Sequence, residues 1–166
     1  MTETPVADPI GLYDQDFLAW TQEQAARLRQ AAASRVNAPI DWEHVAEEIE
    51  DLGKRERDEL EHRLETIIEH LLKLQHSPAV EPRAGWVATI VRSRGRVEIL
   101  LEDNPSLTPD ITAVLSRAQR LAVKTVKSEL AMRGELSAPD LEAIGTAPLD
   151  QAQVMGEWFP SVPPNR

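Results

Sequence analysis

The densest run of chemically active side chains lies between positions 43 and 65. It combines ten carboxylates with four basic residues, and three histidines, at 44, 62 and 70, lie on the same predicted helix. Glu and His on bundle helices can bind metals, and a di-metal site is usually marked by Glu-x-x-His on two helices. Here Glu59 and His62 give the single instance, and a helical wheel turns both away from the apolar stripe. The pattern favours a solvated face, and any metal remains unknown.

His70 is the second candidate in this stretch. On a helical wheel it lies at the flank of the apolar stripe and near the line of Glu48. A histidine oriented by a carboxylate can serve as a general base. A boundary histidine bound to a backbone carbonyl or a carboxylate would show the same spacing. The sequence favours this second interpretation, so no catalytic residue is assigned.

A basic cluster follows at Arg83, Arg92, Arg94 and Arg96, with no acidic residue between Trp86 and Val97. Such a patch can bind phosphate, nucleic acid or an acidic partner. Alternatively, these arginines cover the acidic stretch within the same molecule. Because the whole chain is strongly acidic, the second alternative is preferred.

Three charges fall inside or beside predicted apolar stripes. Arg94 lies on the face of Trp86, Ile90 and Val97, Glu56 falls between Leu52 and Leu60, and Arg63 lies beside Leu64. Since a buried charge without a partner is costly, these groups must pair, reach water or line a cavity. We expect Arg94 to pair with Glu56 or Glu48. The candidate polar cluster is therefore Glu48, Glu56, Arg63, His70 and Arg94, either a structural salt bridge or an anion-binding pocket.

The elements that would position these residues are all helices. Apolar residues recur at steps of three and four from Asp14 to about Ala33, from Asp41 to about Gln75 and from Pro82 to Asp103. A fourth such segment starts at Thr108-Pro109-Asp110 and ends at Gly134, a residue type that commonly terminates helices. No stretch alternates with period two. The sequence thus predicts an all-α bundle of about four main helices.

The second helix is predicted to be long, with a kink or break at Gly53. The whole chain, 1–166, is expected to form a single helical domain in which 1–11 are flexible. Residues 135–166 are expected to form a less regular tail, with short helices near 140–144 and 149–155, that folds back on the bundle.

Several stretches resemble a bacterial family known as domain of unknown function twenty-nine. They are Tyr13-Asp14-Gln15-Asp16-Phe17-Leu18-Ala19-Trp20-Thr21, Asp41-Trp42-Glu43, Glu47-Glu48-Ile49, Leu52-Gly53, His70-Leu71-Leu72-Lys73, Trp86 with Thr89-Ile90, and Asn104-Pro105-Ser106-Leu107. The resemblance covers roughly residues 12–130 and weakens in the C-terminal third. It implies a compact helical protein from bacteria and carries no reaction with it.

Charge and composition narrow the function classes. The net charge of −10 disfavours phosphate backbones and anionic membranes as partners, although a local basic patch stays open. The chain has no cysteine, no long apolar run and no signal-like start, which favours the cytoplasm.

No cofactor is predicted, because phosphate-cradling loops and known catalytic motifs are missing from the sequence. The leading hypothesis is a non-enzymatic regulatory module that binds another protein, with self-association left open. The alternatives are a metal- or anion-binding bundle, including a hydrolase built on the polar cluster, and nucleic-acid contact through the arginine-rich helix.

Overall fold

The computed structural model describes residues 9–34 and 38–161, and its fold is all-α. The helices are α1 (Pro9–Gln15), α2 (Phe17–Ala33), α3 (Trp42–His76), α4 (Arg83–Asp103), α5 (Ile111–Arg133), α6 (Ala138–Ala143) and α7 (Gln151–Met155). A 3-10 segment, Pro105–Asp110, connects α4 to α5. The described ranges contain no strand. Four long helices and two short C-terminal ones confirm the predicted architecture.

Local signals in the sequence set most helix ends. The carboxylate of Asp41 accepts a hydrogen bond from the backbone N–H of His44 at 3.3 Å, which caps the start of α3. Helix α4 ends at Asp103, directly before Asn104 and Pro105. Gly134 ends α5 in the left-handed conformation, with φ of 63°. These three boundaries lie where the sequence predicts them.

The start of the first helical segment differs from the prediction. The structure divides it into α1 and α2, because Asp16 adopts an extended conformation and caps α2 through Ala19 N–H at 2.9 Å. The stretch predicted to be flexible was 1–11. Residues 1–8 lie outside the described residues, and residues 9–11 belong to helix α1. The sequence also predicts that Asn37-Ala38-Pro39 ends the first helical segment, and Asn37 lies outside the described residues.

The start of α5 also differs. The sequence predicts an N-cap at Thr108, but Pro105–Asp110 form the 3-10 segment and α5 begins at Ile111. The interior of this segment is anchored by Leu107, whose side chain is fully buried. Two prolines fit a short 3-10 segment, since each lacks the N–H that a continued α-helix would use.

The chain forms two compact units that share α3 and α4. The first unit comprises the described residues up to Asp58 together with Leu100–Pro109, and the second comprises Glu59–Ile99 and the described residues from Asp110. The expectation of a single domain over 1–166 stays a prediction.

The second unit has a core of buried apolar side chains. Its completely buried side chains include Leu60, Leu64, Ile67, Leu71, Ile90, Val126 and Leu130. Two ion pairs join α3 to α5, Glu61 with Arg117 at 3.3 Å and Lys73 with Glu129 at 2.5 Å. The pair that lies later on α3 also lies later on α5, so the two helices run parallel in this unit. The apolar stripe predicted for the later part of α3 is therefore core.

In the first unit, Gly53 is a point of close helix approach. Helix α3 continues through it, so the predicted break is wrong, while a kink at this residue stays a prediction. A Cβ at this position would lie 2.1 Å from Thr21 Oγ1 and 2.9 Å from a methyl group of Leu18. Both neighbours belong to α2. The glycine is thus required by the closeness of α2 and α3 rather than by a turn.

Candidate functional site

Arg94 is buried, as its place on the apolar face predicts, but its partners are backbone groups. Its side chain is 7% exposed, and it donates hydrogen bonds to the carbonyl oxygens of Val154 (2.9 Å), Gln153 (2.8 Å) and Trp158 (2.8 Å). The guanidinium also lies 4.9 Å from the ring centre of Phe159.

The prediction of an ion pair between Arg94 and Glu56 or Glu48 is therefore wrong, because the guanidinium donates to backbone carbonyl oxygens instead. Burial lowers the pKa of Arg94 from its usual value, while the nearby Glu157 acts in the opposite direction. Arg94 therefore fastens the C-terminal tail of the second unit. Three of the five N–H donors of its guanidinium are thus used on carbonyl oxygens of the chain itself.

Arg63, His70 and Glu48, also members of the predicted polar cluster, have contacts that differ from one another. Arg63 pairs with Glu59, one turn earlier on α3, at 2.7 Å. His70 Nδ1 lies 2.8 Å from the backbone carbonyl of Thr66, which matches the boundary-histidine interpretation. Burial lowers the pKa of His70, although this hydrogen bond favours its charged form. Glu48 is exposed.

The four arginines of α4 have different environments. Arg83 donates to the carbonyl oxygens of Leu74 (2.8 Å) and Ser77 (3.4 Å), so it neutralises the C-terminal end of α3 in the second unit. Arg94 is buried, while Arg92 and Arg96 are exposed. The predicted basic patch is thus reduced to two surface arginines. Among the described residues, no three His, Cys, Asp or Glu side chains are grouped to hold a metal ion.

A hydrogen-bonded junction in the first unit joins two stretches that are far apart in sequence. Both oxygens of the buried Asp16 carboxylate bind Ser106, one accepting from its N–H at 2.6 Å and the other from its hydroxyl at 2.8 Å. Asn104 accepts from the N–H of Leu18 at 3.0 Å and donates to the carbonyl of Leu100 at 3.1 Å. Together with the Asp16 cap on Ala19, this satisfies two of the free N–H groups in the first turn of α2.

Beside this junction lies a cleft of about 310 Å³. We call it the acidic cleft; its lining residues are Tyr13, Asp14, Phe17, Glu56, Asp103 and Asn104. Tyr13 and Asp14 come from α1, Phe17 is the first residue of α2, Glu56 lies on α3, and Asp103 ends α4. The junction fixes the start of α2 against the segment that follows α4, and so sets two sides of the cleft.

The electrostatics of the acidic cleft are one-sided. Three of its six lining side chains are carboxylates and none is basic. The C-terminal end of α4 adds the negative end of a helix dipole at Asp103. In the described part of the chain, the Glu56 side chain has no hydrogen bond or ion pair. The cleft therefore attracts positive charge.

Aromatic rings form one wall of the acidic cleft. Tyr13 meets Phe17 edge-on with ring centres 5.7 Å apart, and it meets Trp20 in the same way at 4.9 Å. Phe17 stacks on Trp20 at 5.8 Å. Tyr13 is 51% exposed, so this ring is available at the surface. Carboxylates beside aromatic faces form a surface suited to an ammonium or guanidinium group.

Sequence reasoning identified Glu56 but missed the other lining residues of the cleft. Its stripe position marks Glu56 as unusual, whereas Asp14 and Asp103 look like ordinary surface acids near helix ends. The available signal was the family resemblance, since Tyr13, Asp14, Phe17 and Asn104 all lie in the stretches that carry it.

Within the described residues, no helix is both long and apolar enough to cross a membrane.

Comparison with known proteins agrees with this architecture. A crystal structure of an alpha-helical protein of unknown function from Rhodospirillum rubrum is similar, with a TM-score of 0.69 and 27% identity. The similarity covers 96% of this chain and 93% of that one. No curated protein matches the chain. The family described as domain of unknown function DUF29 matches residues 12–158, and the chain belongs to this family.

Proposed function

We propose that this protein is an interaction module that binds a cationic side chain of a partner protein in the acidic cleft. The observation that carries the proposal is the combination of Asp14, Glu56 and Asp103 with the rings of Tyr13 and Phe17 around one concave surface. A guanidinium there would find carboxylate acceptors and aromatic faces together.

The alternatives have less support. A metal-dependent hydrolase needs a set of ligands, and the described residues include no group of three suitable side chains. An anion pocket at Arg94 would compete with the three carbonyl oxygens that the guanidinium already binds. Nucleic-acid binding would depend on Arg92 and Arg96 against a net charge of −10.

Chemical-shift mapping with a small cation tests the proposal. We expect N-acetyl-arginine amide to shift the backbone amide signals of residues lining the cleft, such as Tyr13, Phe17 and Asp103. N-acetyl-citrulline amide has nearly the same shape without the charge, and we expect it to produce no comparable shifts.

The matched variant for this titration is Glu56→Gln combined with Asp103→Asn, which removes two charges and keeps the side-chain sizes. The response to arginine should largely disappear in this variant. Shifts spread over the acidic surface of α3, or an equal response in the variant, would contradict the proposal.

A further inference from the structure

The apolar stripe of α3 changes its environment along the helix. In the second unit Leu60, Leu64 and Ile67 are completely buried, but in the first unit Val45 is 40% exposed and Leu52 is 39% exposed. Ile49, between them, is half-buried. We call Val45, Ile49 and Leu52 the α3 ridge. Residues of this kind and spacing would be expected in a core.

The end of α4 lies at the acidic cleft, one turn of α3 beyond the last residue of the α3 ridge. Asp103 is the last residue of α4, and it lines the acidic cleft together with Glu56. The chain then turns through Asn104 to Ser106, which binds Asp16 at the start of α2.

The ridge and the cleft lie next to each other on one helix. Val45, Ile49, Leu52 and Glu56 follow at steps of four, three and four residues, so they share one face of α3. From Val45 to Glu56 this face is about 16 Å long, which matches two to three turns of a second helix.

We infer that the α3 ridge and the acidic cleft form one docking groove for a basic amphipathic helix of a partner protein. The inference rests on the proposed function and adds the form of the partner. The apolar side of the partner helix would cover Val45, Ile49 and Leu52. A lysine or arginine near one end of that helix would enter the cleft beside Glu56.

Charge complementarity identifies this occupant. The groove ends among Asp14, Glu56 and Asp103, and Glu48 is exposed beside the ridge. A second copy of the chain would bring a further net charge of −10. The chain's own residues 1–8 contain Glu3 and Asp8 but no basic side chain, so they lack the complementary charge.

A pair of synthetic helices tests the inference. The first carries leucines at positions i, i+3, i+4 and i+7 and one arginine at its end, with a fluorescent label; the second carries citrulline in place of the arginine. Binding to the full chain is measured by fluorescence anisotropy. We expect Val45→Ser and Leu52→Ser each to weaken the first peptide about tenfold, because each removes apolar contact area.

The control variant is Leu121→Ser on α5, which changes a leucine that is similarly exposed outside the groove. It should bind the arginine peptide as the wild type does. Circular dichroism of each variant verifies that the helices are retained.

Failure of the inference and failure of the proposed function give different results. If acetyl-arginine amide shifts the cleft residues but Leu52→Ser leaves peptide affinity unchanged, the docking groove is wrong and the cleft proposal stands. If the wild type responds equally to arginine and citrulline, the cleft proposal is itself wrong. Sedimentation velocity should show a monomer; a dimer abolished by Leu52→Ser would assign the groove to a second copy and overturn the inference.

Discussion

In the first unit, the buried carboxylate of Asp16 binds both a neighbouring residue, Ala19, and a residue distant in sequence, Ser106. It caps α2 through the N–H of Ala19 and also binds the N–H and hydroxyl of Ser106. Burying a carboxylate is costly unless donors replace the water that it loses. Three donors do so here. The residue thereby holds α2 beside the segment that follows α4, and this arrangement shapes the acidic cleft.

Replacement of Asp16 by alanine should destabilise the fold. The loss of the cap and of the partner for the Ser106 N–H should lower the free energy of unfolding by about 2 to 4 kcal/mol. Urea denaturation measures this change. Asp14→Ala, two residues earlier and exposed, is the control and should change stability by less than about 0.5 kcal/mol. Equal effects of the two substitutions would contradict the role given to Asp16.

His70 should make stability depend on pH. Burial lowers its pKa below the ordinary value of 6.5. As the pH falls through 6.5, the unfolded chain takes up a proton that folded His70 does not, so the free energy of unfolding decreases. Urea denaturation at several pH values between 7.5 and 5 measures this decrease.

The variant His70→Gln should show a smaller decrease over the same pH range. Part of the decrease should remain, because burial also lowers the pKa of His76. His62→Gln, at an exposed position of the same helix, is the control. An unchanged pH dependence in His70→Gln would show that this histidine does not contribute.

At the scale of elements, Gly53 allows α2 and α3 to approach closely. On an isolated helix, Gly53→Ala would add about 1 kcal/mol of stability. In this fold we expect a loss of about 1 to 3 kcal/mol, since the new methyl group would collide with Thr21 and Leu18. Thermal or urea unfolding shows directly whether Gly53→Ala raises or lowers the free energy of unfolding. The double variant with Thr21→Ala should recover part of the loss, and a stabilising Gly53→Ala would contradict the close approach.

Arg94 makes a comparable prediction for the C-terminal tail. Arg94→Met keeps the apolar stem but leaves three carbonyl oxygens without their donor, with an expected cost of about 2 to 3 kcal/mol. Hydrogen exchange should become faster in α7, while amides of α2 should keep their wild-type protection. Unchanged exchange in α7 would show that Arg94 does not fasten the tail.

Element boundaries were largely predictable because they depend on neighbouring residues. Asp41, Asn104-Pro105 and Gly134 each act within a turn of their own position, and each marks an observed helix end. The division between α1 and α2 was not predictable in this way. The buried Asp16 carboxylate depends on Ser106, ninety positions later, for two of its three donors.

At the scale of the whole molecule, the apolar-stripe positions of Glu56 and Arg94 single out two charges. Periodicity cannot show that Arg94 binds backbone carbonyls or that Glu56 lines a cleft. Arg94 binds a tail that shows little periodicity in the sequence. The acidic cleft gathers short segments of α1, α2, α3 and α4, so its composition depends on tertiary structure. A helical wheel also assumes that a stripe is covered along its whole length, which fails at Val45 and Leu52 of α3.

The central claim is that the acidic cleft recognises a positive charge carried by a partner helix. The most direct measurement is the ratio of affinities for the arginine and citrulline peptides, compared between the wild type and the Glu56→Gln, Asp103→Asn variant. We predict that the wild type prefers the arginine peptide by at least about tenfold, a difference of about 1.4 kcal/mol, and that the variant shows a ratio near one. The same preference in both proteins would contradict the claim.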